Sequence, residues 1–353
     1  MAEIGIVPHW FRSQAHTLAR ELIAVFESRG DIVRVPGTDA KASGLDKWAV
    51  PDEEFGAGLA LACSLGGDGT MLHTVELVAR FDVPVFGVNV GHLGYLAAAQ
   101  PEELPDLVPR LLAGQYEIDE RMTLAVEIIV AGTRAQPESR AQPESRASVL
   151  GAATGTDGEA GEARSMERLA RTHLALNEAV LEKRASGHTV RLGVHFNDEF
   201  FTNYAADGLI VATPTGSTAY ALSARGPIVS PRLSAVVVVP VSPHTLFDRA
   251  LVLGPHERVR VEVLDGRPAV LFVDGREMAT LDPGSAISCT AGPHPALLVR
   301  FADRDFHQIL KAKFGLPGPE ADPRWSVAPD DGGALAQSTS GADGPPDDRE
   351  RLC

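Results

Sequence analysis

The residues Gly66-Gly67-Asp68-Gly69-Thr70 stand where an apolar run, Leu59 to Leu65, gives way to a helical pattern, Met71 to Val78. A buried strand that turns through glycines into a helix leaves free backbone N–H groups at the helix start, and such groups bind phosphate. The turn is therefore a candidate anion cradle. It carries no lysine as in GxxxxGK[ST] and no third glycine as in GxGxxG; a carboxylate, Asp68, occupies the lysine's place. A carboxylate beside a phosphate repels it unless a cation or a substrate hydroxyl stands between them. The combination points to phosphoryl transfer, with Asp68 organising Mg²⁺ or accepting the proton of an attacking hydroxyl. The simpler alternative is an Asp/Gly/Thr turn that only caps a helix.

Two further stretches carry chemistry. Asp207-Gly208 to Ala212 reads as a strand that runs into Thr213-Pro214-Thr215-Gly216-Ser217-Thr218-Ala219-Tyr220, which gathers hydroxyls on one Pro/Gly turn. Such an inventory hydrogen-bonds a sugar, an amide or an adenine edge, or is a plain Ser/Thr turn. Leu174 to Leu181 reads as an apolar strand with Asn177-Glu178 inside it. Burying an amide and a carboxylate costs several kcal/mol unless a ligand or a neighbouring loop pairs with them.

Together these stretches resemble the NAD kinase family. The resemblance includes Gly87 to Leu96 (GVNVGHLGYL), Ser223 to Ile228, Val273-Asp274-Gly275-Arg276 and the closing Phe306 to Gly315, and covers roughly residues 55–130 and 170–316 in order. GGDGT by itself is shared with phosphofructokinases and with diacylglycerol and sphingosine kinases. A lipid kinase of that kind is the alternative reading, but it should lack the Thr213 to Tyr220 motif. The resemblance implies transfer of the γ-phosphoryl of ATP to the 2′-hydroxyl of the adenosine ribose of NAD, with Mg²⁺ or another divalent cation as cofactor. It implies Asp68 as proton acceptor, and Gly66, Gly67, Gly69, Thr70 and Asn89 around the phosphates, Gly69 also touching NAD. Asn177 and Glu178 would hold ribose hydroxyls, Asp207 a nicotinamide-side group, and Thr218, Ala219, Tyr220 and Ser223 the carboxamide and adenine. His73 and His188 stand at positions where relatives have basic contacts. No metal ligand is assigned. The family commonly forms homodimers or homotetramers. Two positions depart from the pattern: Ala205 replaces a polar residue, and Arg276 stands where Gln is common. Arg276 either favours a phosphorylated dinucleotide or pairs with Glu277 or another acid.

A chain of 353 residues, 44% hydrophobic, is long enough for two cores. The expected fold class is α/β plus all-β. The opening reads as strand Glu3 to Val7, helix Ser13 to Ser28 and strand Ile32 to Val35, followed by an irregular stretch from Asp39 to Phe55. The cradle unit, a strand from Val83 to Asn89 and a helix capped near Pro101 follow. Alternating strands and helices predict a Rossmann-like α/β domain over 1–121. Beyond it, Val259, Val261 and Val263 alternate with charged residues, and Asp265-Gly266 leads to Ala269 to Val273, a hairpin signature. The domain over 122–300 is therefore β-rich, and the resemblance makes it a β-sandwich. A helix over 301–316 would return to the first domain.

The tandem repeat Ala-Gln-Pro-Glu-Ser-Arg at 135–140 and 141–146 lies in a Gly-, Ala- and Glu-rich stretch between two expected strands. Residues 131–170 are expected to be a disordered insertion at a hairpin tip, because extra loop length costs little closure entropy. Residues 317–353 are expected to be a disordered acidic tail. Eight acids there against three arginines supply −5 of the net charge of −15. That balance argues against nucleic acid as a partner. Cys63, Cys289 and Cys353 form neither a metal pattern nor a disulfide framework. No apolar run approaches the ~18 residues of a membrane span, and no signal peptide precedes the first strand, so a cytoplasmic setting is expected.

Overall fold

The computed structural model describes residues 1–91, 94–130, 172–264, 266–301 and 306–316. Its first layer is a seven-stranded sheet in the order Ala49–Val50, Ile32–Pro36, Glu3–Pro8, Leu61–Gly66, Val85–Asn89, Ala296–Arg300 and Glu117–Arg121. All neighbours run parallel except the last pair. Parallel sheets must be covered on both faces, so their strands read as continuous apolar runs. Leu61–Gly66 and Val85–Asn89 are accordingly buried at every residue. The helix Ser13–Ser28 covers one face with Leu18, Leu22, Ile23 and Phe26 at helical spacing. The helix Asp68–Val78 covers the other with Met71, Val75 and Val78.

The second layer system is two six-stranded antiparallel sheets. One runs Glu199–Ala206, Val190–Phe196, Val259–Val263, Ala286–Ala291, Leu124–Ile129, Thr172–Ala175; the other runs Leu251–Leu253, Val236–Val241, Gly208–Ala212, Glu178–Lys183, Ala269–Val273, Arg276–Leu281. One apolar core holds Val126, Leu192 and Val261 of the first together with Leu181, Leu209 and Leu271 of the second. An α/β domain and an all-β domain with two facing sheets are thus both present.

Four sequence expectations change. The run Thr172 to Leu181 is two strands, not one: the chain leaves one sheet at Ala175 and enters the other at Glu178, so Asn177 sits at a crossing between sheets. Val259–Val263 and Ala269–Val273 do not form a hairpin, because they lie in opposite sheets. Each presents apolar residues to the shared core, and alternation of that kind cannot say which sheet a strand joins. The hairpin is instead Ala269–Val273 with Arg276–Leu281, turned by Asp274 and Gly275 at φ 47° and 79°, the left-handed pair that tight hairpins require. The segment Asp39 to Phe55 is not irregular: it holds the helix Gly37–Ser43, a 3₁₀ turn at Asp46–Trp48 and the edge strand Ala49–Val50. Finally, the strand Ala296–Arg300, which falls within the expected sandwich range, returns to the first sheet.

Phe306–Phe314 is a helix within a compact unit of its own that begins at Phe306. The expected insertion at 131–170 and acidic tail at 317–353 lie outside the described residues. The strands on either side of the former, Leu124–Ile129 and Thr172–Ala175, pair antiparallel.

Candidate active site

Gly66 closes its strand opposite Asn89 of the neighbouring strand, and the helix begins at Asp68 with Gly67 as its N-cap. A side chain at Gly66 would overlap Thr70, whereas side-chain positions at Gly67 and Gly69 face open space. That space belongs to a cavity of about 610 Å³, lined by Gly67, Asp68, Gly69 and Thr70 on one wall and by Asp274 and Arg276 of the sandwich on the other. A volume of this order suits a small organic ligand.

Asp68 is held from behind. Its carboxylate accepts the backbone N–H of Tyr95 at 2.9 Å and of Leu96 at 3.1 Å. Gly94 packs so closely on it that any side chain there would strike the carboxylate. An ionised carboxylate offers roughly four lone-pair sites. Two are used by the loop, which fixes the group and leaves the rest for a ligand.

His73 lies one turn along the same helix and also lines the cavity. Its Nε2 lies 3.0 Å from Asp39 Oδ2, and its Nδ1 3.8 Å from Glu76. Burial works against its charge, but the hydrogen bonds and charges of Asp39 and Glu76 outweigh it and push its pKa up to about 9. A cation is thereby kept at neutral pH. Glu76 also takes the guanidinium of Arg276 from the sandwich hairpin. Arg276 thus pairs with Glu76 rather than with Glu277, and a chain of charges crosses from one domain to the other.

Opposite the cradle, Asp274 organises the crossing between sheets. Its carboxylate accepts the N–H groups of Leu176 (2.8 Å), Asn177 (2.8 Å) and Glu178 (3.1 Å). Burial pushes its pKa up to about 6 against the pull of those three bonds. Thr213 docks on the same crossing, with its N–H on Asn177 O at 2.8 Å and its hydroxyl on Leu176 O at 2.5 Å. Gly216 lies so close to the Asn177 carbonyl that no side chain fits. Glu178 is buried, and its Oε2 has no partner among the described residues. Burial, with the nearby Asp274 charge adding to it, pushes its pKa up to about 8, although the Tyr220 N–H opposes the shift. Beneath the turn, Arg121 reaches Thr215 at 3.4 Å and Asp119 at 2.5 Å, while Arg300 reaches Asp119 at 3.3 Å. Burial raises the Asp119 pKa, but the two guanidiniums outweigh it and hold the carboxyl below its usual range.

Of the residues singled out from the sequence, Gly67, Asp68, Gly69, Thr70 and His73 line the cavity together. Asn89 is buried beside Gly66, and its Oδ1 has no partner among the described residues. Asn177 and Glu178 adjoin the far wall through Asp274. Thr218, Ala219, Tyr220 and Ser223 continue that turn, and Tyr220 and Ser223 are exposed. Asp207 stands away from the cradle, within electrostatic reach of the Tyr220 side chain. It flanks the opposite end of the strand Gly208–Ala212, where it is 2.5 Å from Lys183. His188 is exposed on the connection from Glu178–Lys183 to Val190–Phe196. The role of Asp274 has no signal in the sequence: an Asp-Gly pair between apolar runs indicates only a turn, and its three partners lie almost a hundred residues away.

Residues 11–116 match the ATP-NAD kinase N-terminal domain and residues 176–301 the ATP-NAD kinase C-terminal domain. The chain belongs to the NAD kinase family. It is 35% identical over 348 residues to an NAD kinase of Moorella thermoacetica, covering 98% of this chain and 100% of that protein. It is 30% identical over 332 residues to one of Nocardia farcinica, covering 89% and 92%. Its fold is shared with yeast NADH kinase complexed with NADH, at TM-score 0.71 and 23% identity over 90% of this chain and 88% of that one. It is shared also with an Archaeoglobus fulgidus NAD kinase in complex with ATP, at TM-score 0.61 and 21% identity over 90% and 99%.

Proposed function

We propose that this chain phosphorylates NAD, with ATP as donor, at the 2′-hydroxyl of the adenosine ribose. The observation that carries the reading is a single carboxylate, Asp68, fixed at a glycine cradle that opens into one cavity with the sandwich wall of Asp274. In the proposed step the 2′-oxygen forms a bond to the γ-phosphorus, the bond from that phosphorus to the β,γ-bridging oxygen breaks, ADP leaves, and the hydroxyl proton passes to Asp68. A carboxylate is a weak base toward an alcohol, so most of the acceleration comes from positioning and charge neutralisation. The N–H groups of Gly67 and Gly69 are proposed to receive phosphate oxygens, with the charge of His73, whose two ring nitrogens face Asp39 and Glu76, acting nearby. Asn177 and Glu178 are proposed to hold ribose hydroxyls from the far wall, and the Thr218 to Ser223 turn the base and carboxamide.

Among the described residues no group of three His, Cys, Asp or Glu side chains is arranged to hold a metal ion. A divalent cation would be held chiefly by donor phosphates, as Mg²⁺ usually is, leaving Asp68 to take the hydroxyl proton. When bound it would neutralise developing phosphate charge. Among the described residues no helix is long and apolar enough to cross a membrane, and the proposed setting is cytoplasmic. The proposed assembly is a homodimer or homotetramer; the exposed Phe200 and Phe201 on the edge strand Glu199–Ala206 support it. The test is NADP formation by the purified chain from NAD, ATP and Mg²⁺, with light scattering for the assembly. Absence of NADP under these conditions rejects the reading.

A further inference from the structure

The turn Pro8 to Arg12 joins the first strand to the first helix and carries two large aromatic residues into solvent. Trp10 is 58% exposed and Phe11 82% exposed, and their rings stack at 5.2 Å between centroids. Aromatic rings exposed beside a cavity offer flat faces on which a planar ligand can stack. This turn is also firmly seated. The His9 N–H donates to Leu65 O at 2.9 Å, its carbonyl meets His16 Nε2 at 2.9 Å, and its Nδ1 accepts the Phe11 N–H at 3.2 Å. Arg12 hydrogen-bonds the carbonyl of Val90. Leu65 immediately precedes the cradle, and His9 packs against Gly66. Trp10 therefore stands at a fixed offset from the phosphate-binding turn, and His9, Trp10 and Arg12 line the cavity that Gly67 and Asp68 line.

We propose that Trp10, backed by Phe11, is the stacking platform for the base of the nucleotide donor. This rests on the phosphotransferase reading above and deepens it: the chain binds its donor by base as well as by phosphates, and so favours a nucleoside triphosphate over a bare polyphosphate chain. A ring stack accepts any base, and purines present the larger face. Base stacking on an aromatic side chain is worth about 5- to 150-fold in affinity.

The test compares Trp10→Ala and Trp10→Phe with the unaltered chain in the NADP-forming assay, using inorganic tripolyphosphate as a base-free competitor of ATP. Trp10→Ala should raise KM for ATP about tenfold or more, Trp10→Phe should restore most of it, and KM for NAD and the inhibition by tripolyphosphate should stay within about twofold. Unchanged KM for ATP in Trp10→Ala overturns the proposal. So does a shift in KM for NAD instead, which would assign the platform to the acceptor, or an equal loss of ATP and tripolyphosphate binding. Failure of the unaltered chain to make NADP would sink the phosphotransferase reading itself. In that case quenching of tryptophan fluorescence by ATP, lost in Trp10→Ala, still decides whether the platform binds a base.

Discussion

Gly67 and Gly216 occupy similar settings, each in a small polar turn that follows a fully buried strand. Their surroundings are opposite. Among the described residues a side chain at Gly67 would meet nothing within 4 Å, whereas one at Gly216 would collide with the Asn177 carbonyl. The first turn is open toward a ligand; the second is closed onto the protein and fixes the crossing that carries Asn177 and Glu178. One glycine-rich turn faces the cavity, and another lies against the crossing where Asp274 accepts three N–H groups. Glycine content alone does not distinguish these uses.

The comparison breaks most sharply at Asp68. Asp68→Asn keeps an acceptor for one of the two loop N–H groups but loses the charge, and NADP formation should fall by about 10²-fold or more with the fold intact. Turnover near that of the unaltered chain would mean that the cradle only caps its helix. On the closed side, Glu178→Gln keeps the shape and should weaken NAD by about 10- to 100-fold at a pH above 8, where the carboxyl is ionised and makes a charge-assisted bond, and by less at pH 7, while KM for ATP changes little. The same variant reports on burial. An acid whose folded pKa is pushed up to about 8 binds extra protons in the folded state, so its contribution to stability falls as pH rises from the ordinary carboxyl value toward 8. Glu178→Gln should therefore raise the melting temperature more at pH 8 than at pH 5, and equal shifts at both would contradict the burial of this carboxyl.

The two glycines themselves supply the next contrast. Gly216→Ala should destabilise by about 1–3 kcal/mol, because backbone rather than a flexible side chain must give way. Gly67→Ala should alter stability by less than about 1 kcal/mol while lowering activity. Urea titration of the two variants would show the difference, and similar losses would erase it. The smallest effect concerns His73. Its folded pKa of about 9 lies above the ordinary histidine value, so its bonds to Asp39 and Glu76 stabilise fully below about pH 6.5 and are lost as pH rises through 9. The stability difference between the unaltered chain and His73→Gln should shrink over that range, and a constant difference would show that His73 acts through packing rather than charge.

What could be read in the chain was local. An apolar run, a glycine turn and a helical period are adjacent in sequence, so the strand Leu61–Gly66, the cradle and the helix Asp68–Val78 were legible together, as was the helix Ser13–Ser28. The family motifs likewise marked Asn177, Glu178 and the Thr213 turn. The short helix Gly37–Ser43 was not legible, because seven residues give little periodicity and its Asp39 finds its partner, His73, only in the folded chain.

Sheet membership was decided by the tertiary structure. Alternation says that a strand has one buried face, but two facing sheets share that core, so Val259–Val263 and Ala269–Val273 look alike in sequence and lie in opposite layers. The sequence by itself determined which residues can bind phosphate, accept a proton or donate to a sugar, because those are properties of side chains and of a local backbone turn. Which of them share a cavity was settled by folding. Asp274 reaches Asn177 across 97 residues and Arg276 reaches Glu76 across 200, while Asp207, equally prominent in sequence, is carried to the far end of its strand beside Lys183. The physical reason is that a strand displaces its two ends by about 3.3 Å per residue, so residues of one motif part company unless the sheet order brings another element to meet them.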